Sequence, residues 1–241
     1  MTFRRLARVL PILLALAPWP ALADVTASYQ AGKDRLTVEV ADNGDARVEV
    51  GEFIYIRHGG EVYLTLGKLA GDQVSGRRDD MLKLFGVLFR ADPETASLAA
   101  PAPLTPIVEP LRETEVLGIK GQVWRIWPKG KSDPAGSIDA AFTASPRLAP
   151  VQQVLQSAVT GFLDVFGPLD KHGRFRAILA AMNDKGAPLM VRDANTVQLL
   201  ALEEARIAPA RLAIPEDLIS GDALELLARQ MQAKTKAEKN P

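Results

Sequence analysis

Between Asp24 and Gly71 the chain carries Leu36-Thr37-Val38-Glu39-Val40, Asn43-Gly44, Val48-Glu49-Val50, Gly51, Ile54-Tyr55-Ile56, Gly59-Gly60 and Val62-Tyr63-Leu64-Thr65-Leu66. Apolar residues recur at every second position, the period of a strand with one face on a core. Thr37, Glu39, Glu49, Tyr55, Tyr63 and Thr65 take the alternate positions. The Asn-Gly and Gly breaks supply the positive φ that tight hairpin turns require. This pattern predicts an antiparallel meander, with Ile54 and Ile56 on the same face as Val38, Val48 and Leu64.

Residues 1–23 read as a cleaved signal peptide. Arg4, Arg5 and Arg8 precede the apolar run Val9 to Ala17, and Ala21-Leu22-Ala23 offers small residues for cleavage before Asp24. The run is shorter than the roughly 20 residues a membrane span needs, and Pro11, Pro18 and Pro20 interrupt it. Removing 23 of 241 residues leaves 218, enough for one sizeable core. The leader takes three Arg and no acid with it, leaving 26 basic against 29 acidic residues, about −3. That balance argues against a nucleic-acid partner and against dedicated adhesion to anionic lipid. No second segment approaches spanning length, so a soluble periplasmic protein with no transmembrane segment is expected. The absence of Cys excludes disulfides, a Cys nucleophile, a Cys-rich zinc site and lipid attachment through a thiol.

Past the meander, Asp79 or Asp80 is placed to cap a short helix over Met81 to Phe89 that plugs one side of the sheet. Pro101, Pro103, Pro106 and Pro110 predict a loop or an edge strand over Ala99 to Pro110. Glu113 to Trp127 reads as a hairpin whose second strand, apolar on both faces, is central. Ser137 to Thr143 can follow as a strand. Ser145 as cap, Pro146 at the first helical position and a stripe from Leu148 to Phe166 predict one long amphipathic helix, ended by Gly167-Pro168. Phe175 to Met182 fits strand or helix. Pro188 to Val191, Thr196 to Glu204 and Arg211 to Ile214 read as closing strands, and Asp217 to Gln232 as a helix. The reading is one domain over residues 24–233 with a charged, frayed tail at 234–241.

Several of these landmarks together resemble a known family. The leader and meander, Thr114 to Ile126 around Gly118-Ile119-Lys120-Gly121, the helix after it, and the ending Gly186-Ala187-Pro188-Leu189 to Leu212-Ala213-Ile214-Pro215 are similar to an exported domain family of unknown function. That family is related to the LolA/LolB lipoprotein-localisation proteins. The resemblance implies an α+β fold, a curved antiparallel sheet forming an incomplete barrel around helices, sometimes with an apolar cavity, and no catalytic residues. It also implies a family Cys where this chain has Gly121, so any thiol role at that position is absent here.

Chemistry-bearing constellations are sparse. His58 and His172 each stand beside Gly in an expected turn, with no third imidazole or thiolate to complete a zinc site. Asp79-Asp80 and Glu203-Glu204 are sequence neighbours, and neighbours in a strand point to opposite faces. No Gly-x-Ser-x-Gly elbow and no Gly-rich phosphate cradle occurs, so neither a hydrolase nor a nucleotide cofactor is expected, and the chain reads as a non-enzyme. The remaining signal is aromatic: Phe53, Tyr55 and Tyr63 in the meander, Trp124 and Trp127 on the later strand. These five are the candidate ligand-binding residues. Either that surplus apolar surface is ordinary packing, as in a structural or interaction module of the envelope, or part of it lines a cavity for a lipid, a lipoprotein or another apolar ligand.

Overall fold

The computed structural model describes residues 24–69, 72–90, 106–128, 137–166, 174–192 and 196–239. The expected leader, the turns at Lys129 to Gly136 and Asp193 to Asn195, Gly167-Pro168 and His172 lie outside them. Six strands come first: β1 Val25–Ala31, β2 Asp34–Val40, β3 Ala46–Val50, β4 Phe53–His58, β5 Glu61–Leu69 and β6 Asp72–Arg77. Helix α1, Arg78–Arg90, follows. Then come β7 Pro106–Val116, β8 Ile119–Pro128, β9 Ile138–Thr143, α2 Ala149–Phe166, α3 Arg174–Lys185, β10 Ala187–Arg192, β11 Val197–Glu204 and α4 Gly221–Lys239.

The eleven strands form one antiparallel sheet in the order β6-β5-β4-β3-β2-β1-β11-β10-β9-β8-β7. Two meanders therefore lie back to back, joined where β1 pairs with β11, and the sheet does not close. The first meander turns at Gly44, Gly51, Gly59 and Gly60, all at positive φ as their residue type predicts. Register shifts at Ser28/Tyr29, Leu66/Leu69, Pro110/Arg112 and Pro188/Met190 bend the strands. Pro106 and Pro110 fall in β7, an edge strand, where a missing N–H costs no ladder bond on the open side. Strand β8 is paired on both sides, one place in from that edge.

Helices cover one face, which we term the inner face. Helix α1 packs over β5 and β6, α2 over β1, β2, β3 and β10, and α3 over β7, β8 and β9. The predicted stripe of α2 turns Leu148, Val151, Val154, Leu155 and Ala158 into the core. Each aliphatic side chain of Val or Leu size so buried contributes roughly 1.5–3 kcal/mol. Val25, Ala27, Tyr29, Val38, Val48, Tyr55 and Leu64 meet them from the sheet.

Four expectations are corrected and one open reading is resolved. Ser145 makes no side-chain cap; its N–H donates to Thr143 Oγ1 at 3.1 Å, and a 3-10 turn at Pro146–Leu148 leads into α2. Asp79 and Asp80 lie within the first turn of α1, which begins at Arg78, so they complement the helix dipole rather than cap it. Phe175 to Met182 is helix. Arg211 to Ile214 is no strand: a 3-10 turn at Pro209–Leu212 and irregular chain take its place. Helix α4 runs from Gly221 through Lys239, and at 19 residues it matches the 18 of α2, so the described residues hold two long helices where one was expected.

Candidate functional site

The register of β4 separates the aromatic residues that its sequence groups together. Val50 pairs with Phe53 across the two-residue turn at 51–52, which sets Tyr55 opposite Val48, and Tyr55 is also opposite Leu64. Directly paired residues share a face, so Phe53 and Tyr55 point inward. Ile54 and Ile56 point outward with Thr65 and Tyr63. The expectation that put Ile54 and Ile56 in the core and Phe53 and Tyr55 opposite is overturned, because a strand apolar on both faces takes its orientation from turn length; Tyr63 does lie on the outer face as expected.

Tyr55 is 1 % and Tyr63 5 % exposed, both as packing. Burial pushes the Tyr55 phenol up, and Arg57, the side-chain hydrogen bond with Ser157 and Arg78 offset part of that. Trp124 turns to α3, where Lys185 Nζ lies 4.5 Å from its ring centroid in cation–π contact. Trp127 is half-buried opposite Ile107 on β7. Strand β8 stands seven places along the sheet from β4. The five candidate residues therefore form no single site.

One of them does belong to a cluster. Phe53 meets Phe162 of α2 edge-on, centroids 6.0 Å apart and planes at 90°, and Phe162 meets Phe175 of α3 at 6.3 Å and 60°. Three rings thus link sheet, α2 and α3. Phe53 and Phe162 are half-buried, while Phe175 is 52 % exposed. Phe53 ends a transverse row on the inner face, Tyr29-Leu36-Val50-Phe53, set by the pairings of β1, β2, β3 and β4. Beside Phe162, Asp164 accepts from Arg78 at the start of α1, so three helices converge at this end of the interior. Tyr29 is fully buried, its hydroxyl has no hydrogen-bond partner, and burial pushes its phenol up so that it stays protonated. Trp124 and Lys185 sit at the far end of α3 from Phe175, about 15 Å away by helical rise.

The outer face holds a second arrangement that sequence reasoning missed. From the end of β11, residues 205–219 cross it as a strap. Ile207 N–H donates to Asp24 Oδ2 at 2.7 Å. Arg211 forks onto Glu39 at 2.9–3.2 Å and reaches Glu49 at 3.2 Å, while Arg47 joins Glu49 at 2.9 Å. Burial would raise the Glu49 carboxyl, but the hydrogen bonds and charges of Arg47 and Arg211 hold it below the usual glutamate range. Ile56, Tyr63, Ile207 and Leu212 are buried here apart from the main core. A groove of about 270 Å³ remains between Ile54, Ile56 and Thr65 of the sheet and Ala213 to Asp217 of the strap. The only sequence sign was the pair Pro209 and Pro215, which fits poorly with a strand between them.

His58 is the last residue of β4, paired with Glu61 beside the turn at Gly59-Gly60, its Nδ1 2.9 Å from Asp45 Oδ2, while Asp45 Oδ1 accepts from Gly59 N–H. Glu204 pairs with Arg147. Among the described residues no three of His, Asp and Glu gather closely enough to hold a metal ion. A Cβ added at Gly121 would lie 2.6 Å from both Leu189 Cδ1 and the Phe142 carbonyl oxygen, so this backbone leaves no room for a side chain there. Among the described residues no helix is long and apolar enough to cross a membrane. Comparison with protein-family models, curated proteins and solved structures finds no match.

Proposed function

We propose that the chain is an exported periplasmic protein with a LolA-like half-barrel architecture, and that it binds an apolar ligand, such as a lipid or the acyl part of a lipoprotein, without catalysing a reaction. The observation that carries this reading is the linked set Phe53, Phe162 and Phe175, which runs from the inner face to a half-exposed ring where helices α1, α2 and α3 converge. An acyl chain laid against such rings gains roughly 0.8 kcal/mol for each methylene it buries. The Arg-rich start and Ala21-Leu22-Ala23 support export. Titration of residues 24–241 with a fluorescent fatty acid tests the binding. Saturable binding that Phe162→Asp abolishes supports a carrier; no saturable binding by the wild type removes it.

A second reading is favoured by Tyr55 and Tyr63, whose burial commits them to packing. In it the chain is a structural or protein-interaction module of the cell envelope with no ligand cavity. Crosslinking in cells would then yield one stable protein partner and no lipid.

A further inference from the structure

We infer that residues 205–239 form a clamp that opens as one unit ahead of the sheet, and that Arg211 is its latch. The segment wraps the β6 edge from three sides. On the outer face it is held at separate points: Ile207 N–H on Asp24, Arg211 on Glu39 and Glu49, and the Arg211 carbonyl accepting from Arg47 at 3.4 Å. At the edge, Leu218 bridges Ser75 in parallel and Ile219 N–H donates to the Ser75 carbonyl at 2.8 Å, taking a position where a further strand would pair. On the inner face α4 packs on α1, and a Cβ added at Gly76 of β6 would lie 3.3 Å from Leu224 Cδ1.

The attachment is thin compared with the sheet. Among the described side chains of α4 only Leu224 and Ala228 are fully buried, Leu226 is 58 % exposed, and Asp80 and Lys83 of α1 line an open pocket of about 490 Å³ together with Gly221 and Glu225. Beneath the strap lies the 270 Å³ groove. Segments with few buried apolar contacts open at lower free energy than core strands. Against this loose packing the strongest single tie is Arg211, whose planar fork makes three contacts with Glu39, a carboxylate only 10 % exposed. Release uncovers both that carboxylate and the β6 edge, whose free backbone groups can then pair with another strand.

Hydrogen exchange followed by mass spectrometry on residues 24–241 tests this, comparing wild type with Arg211→Ala, Arg211→Lys and Arg229→Ala. Among the described residues Arg229 pairs within its own helix, with Glu225, and serves as the control. Loss of the charged fork should speed exchange of 205–219 and α4 together by roughly tenfold, leaving β1 to β3 unchanged, with Arg211→Lys intermediate and Arg229→Ala silent. Should Arg211→Ala fail to fold, the Lys variant alone must show the joint acceleration. Faster exchange in the strap without α4 overturns the single unit. Acceleration throughout the sheet overturns local opening, and no change overturns the latch.

Discussion

Gly121→Ala inserts one methyl group where β8, β9 and β10 meet. Its Cβ would stand 2.6 Å from Leu189 Cδ1 and 2.6 Å from the carbonyl oxygen of Phe142, more than half an ångström inside normal contact. The leucine methyl can rotate away, but the carbonyl belongs to the sheet. Phe142 is itself 1 % exposed and pairs with Gln122 and Pro188, so moving it disturbs strands on both sides. Overpacking of this kind costs about 1–3 kcal/mol, and a rigid backbone neighbour places it in the upper part of that range. For a domain of this size, that corresponds to a fall in Tm of roughly 5–10 °C. Thermal unfolding of residues 24–241 followed by circular dichroism measures it. Gly118→Ala serves as the comparison, since Gly118 has open space around it but φ +74°, and should cost about 1 kcal/mol from backbone strain alone. A Gly121→Ala protein melting within about 1 °C of wild type would refute the close approach of the three strands, and with it the reason this position rejects a cysteine.

The outer layer predicts that Ile56→Ala, although outside the main core, costs about 2–4 kcal/mol in urea unfolding; a cost below about 0.5 kcal/mol would mean the strap does not bury it. Leu117, 54 % exposed at φ +53°, sits in a turn position that Asn tolerates better, so Leu117→Asn should raise the unfolding free energy in urea by about 1 kcal/mol and would contradict the assigned turn by lowering it. Glu49 has a depressed carboxyl pKa, so its contribution is present above the ordinary glutamate value near 4.5 and is lost as pH falls through the lower folded value. Strap opening, read as exchange relative to the chemical rate at each pH, should therefore rise on acidification through that window, an effect that Glu49→Gln removes; an unchanged pH profile in that variant argues against the pair.

The first meander was legible because Gly44, Gly51, Gly59 and Gly60 mark its turns and period-2 alternation fills the runs. The facing of β4 was not, because Ile54-Tyr55-Ile56 is apolar on both sides and alternation alone cannot choose. Loop length could have decided it: a two-residue turn at 51–52 fixes Val50 opposite Phe53, and parity carries Tyr55 inward. The stripe of α2 was clear from its three- and four-residue spacing. The strap was misread as a strand because Leu212 and Ile214 alternate as strand residues do, while what holds the segment is long-range: Arg211 reaches Glu39 across 172 residues. Of the candidate site, Phe53 was named from the sequence. Phe162 and Phe175 were hidden because the first counted as one more member of a helix stripe and the second lay in a segment undecided between strand and helix.

The proposed binding role is tested most directly by native mass spectrometry of the protein purified from the periplasm, beside its Phe162→Asp variant. The account predicts a bound species of lipid mass on the wild type, released as free lipid on activation and missing from the variant. A wild-type chain that carries no adduct, and acquires none when mixed with phospholipid or fatty acid, would contradict it.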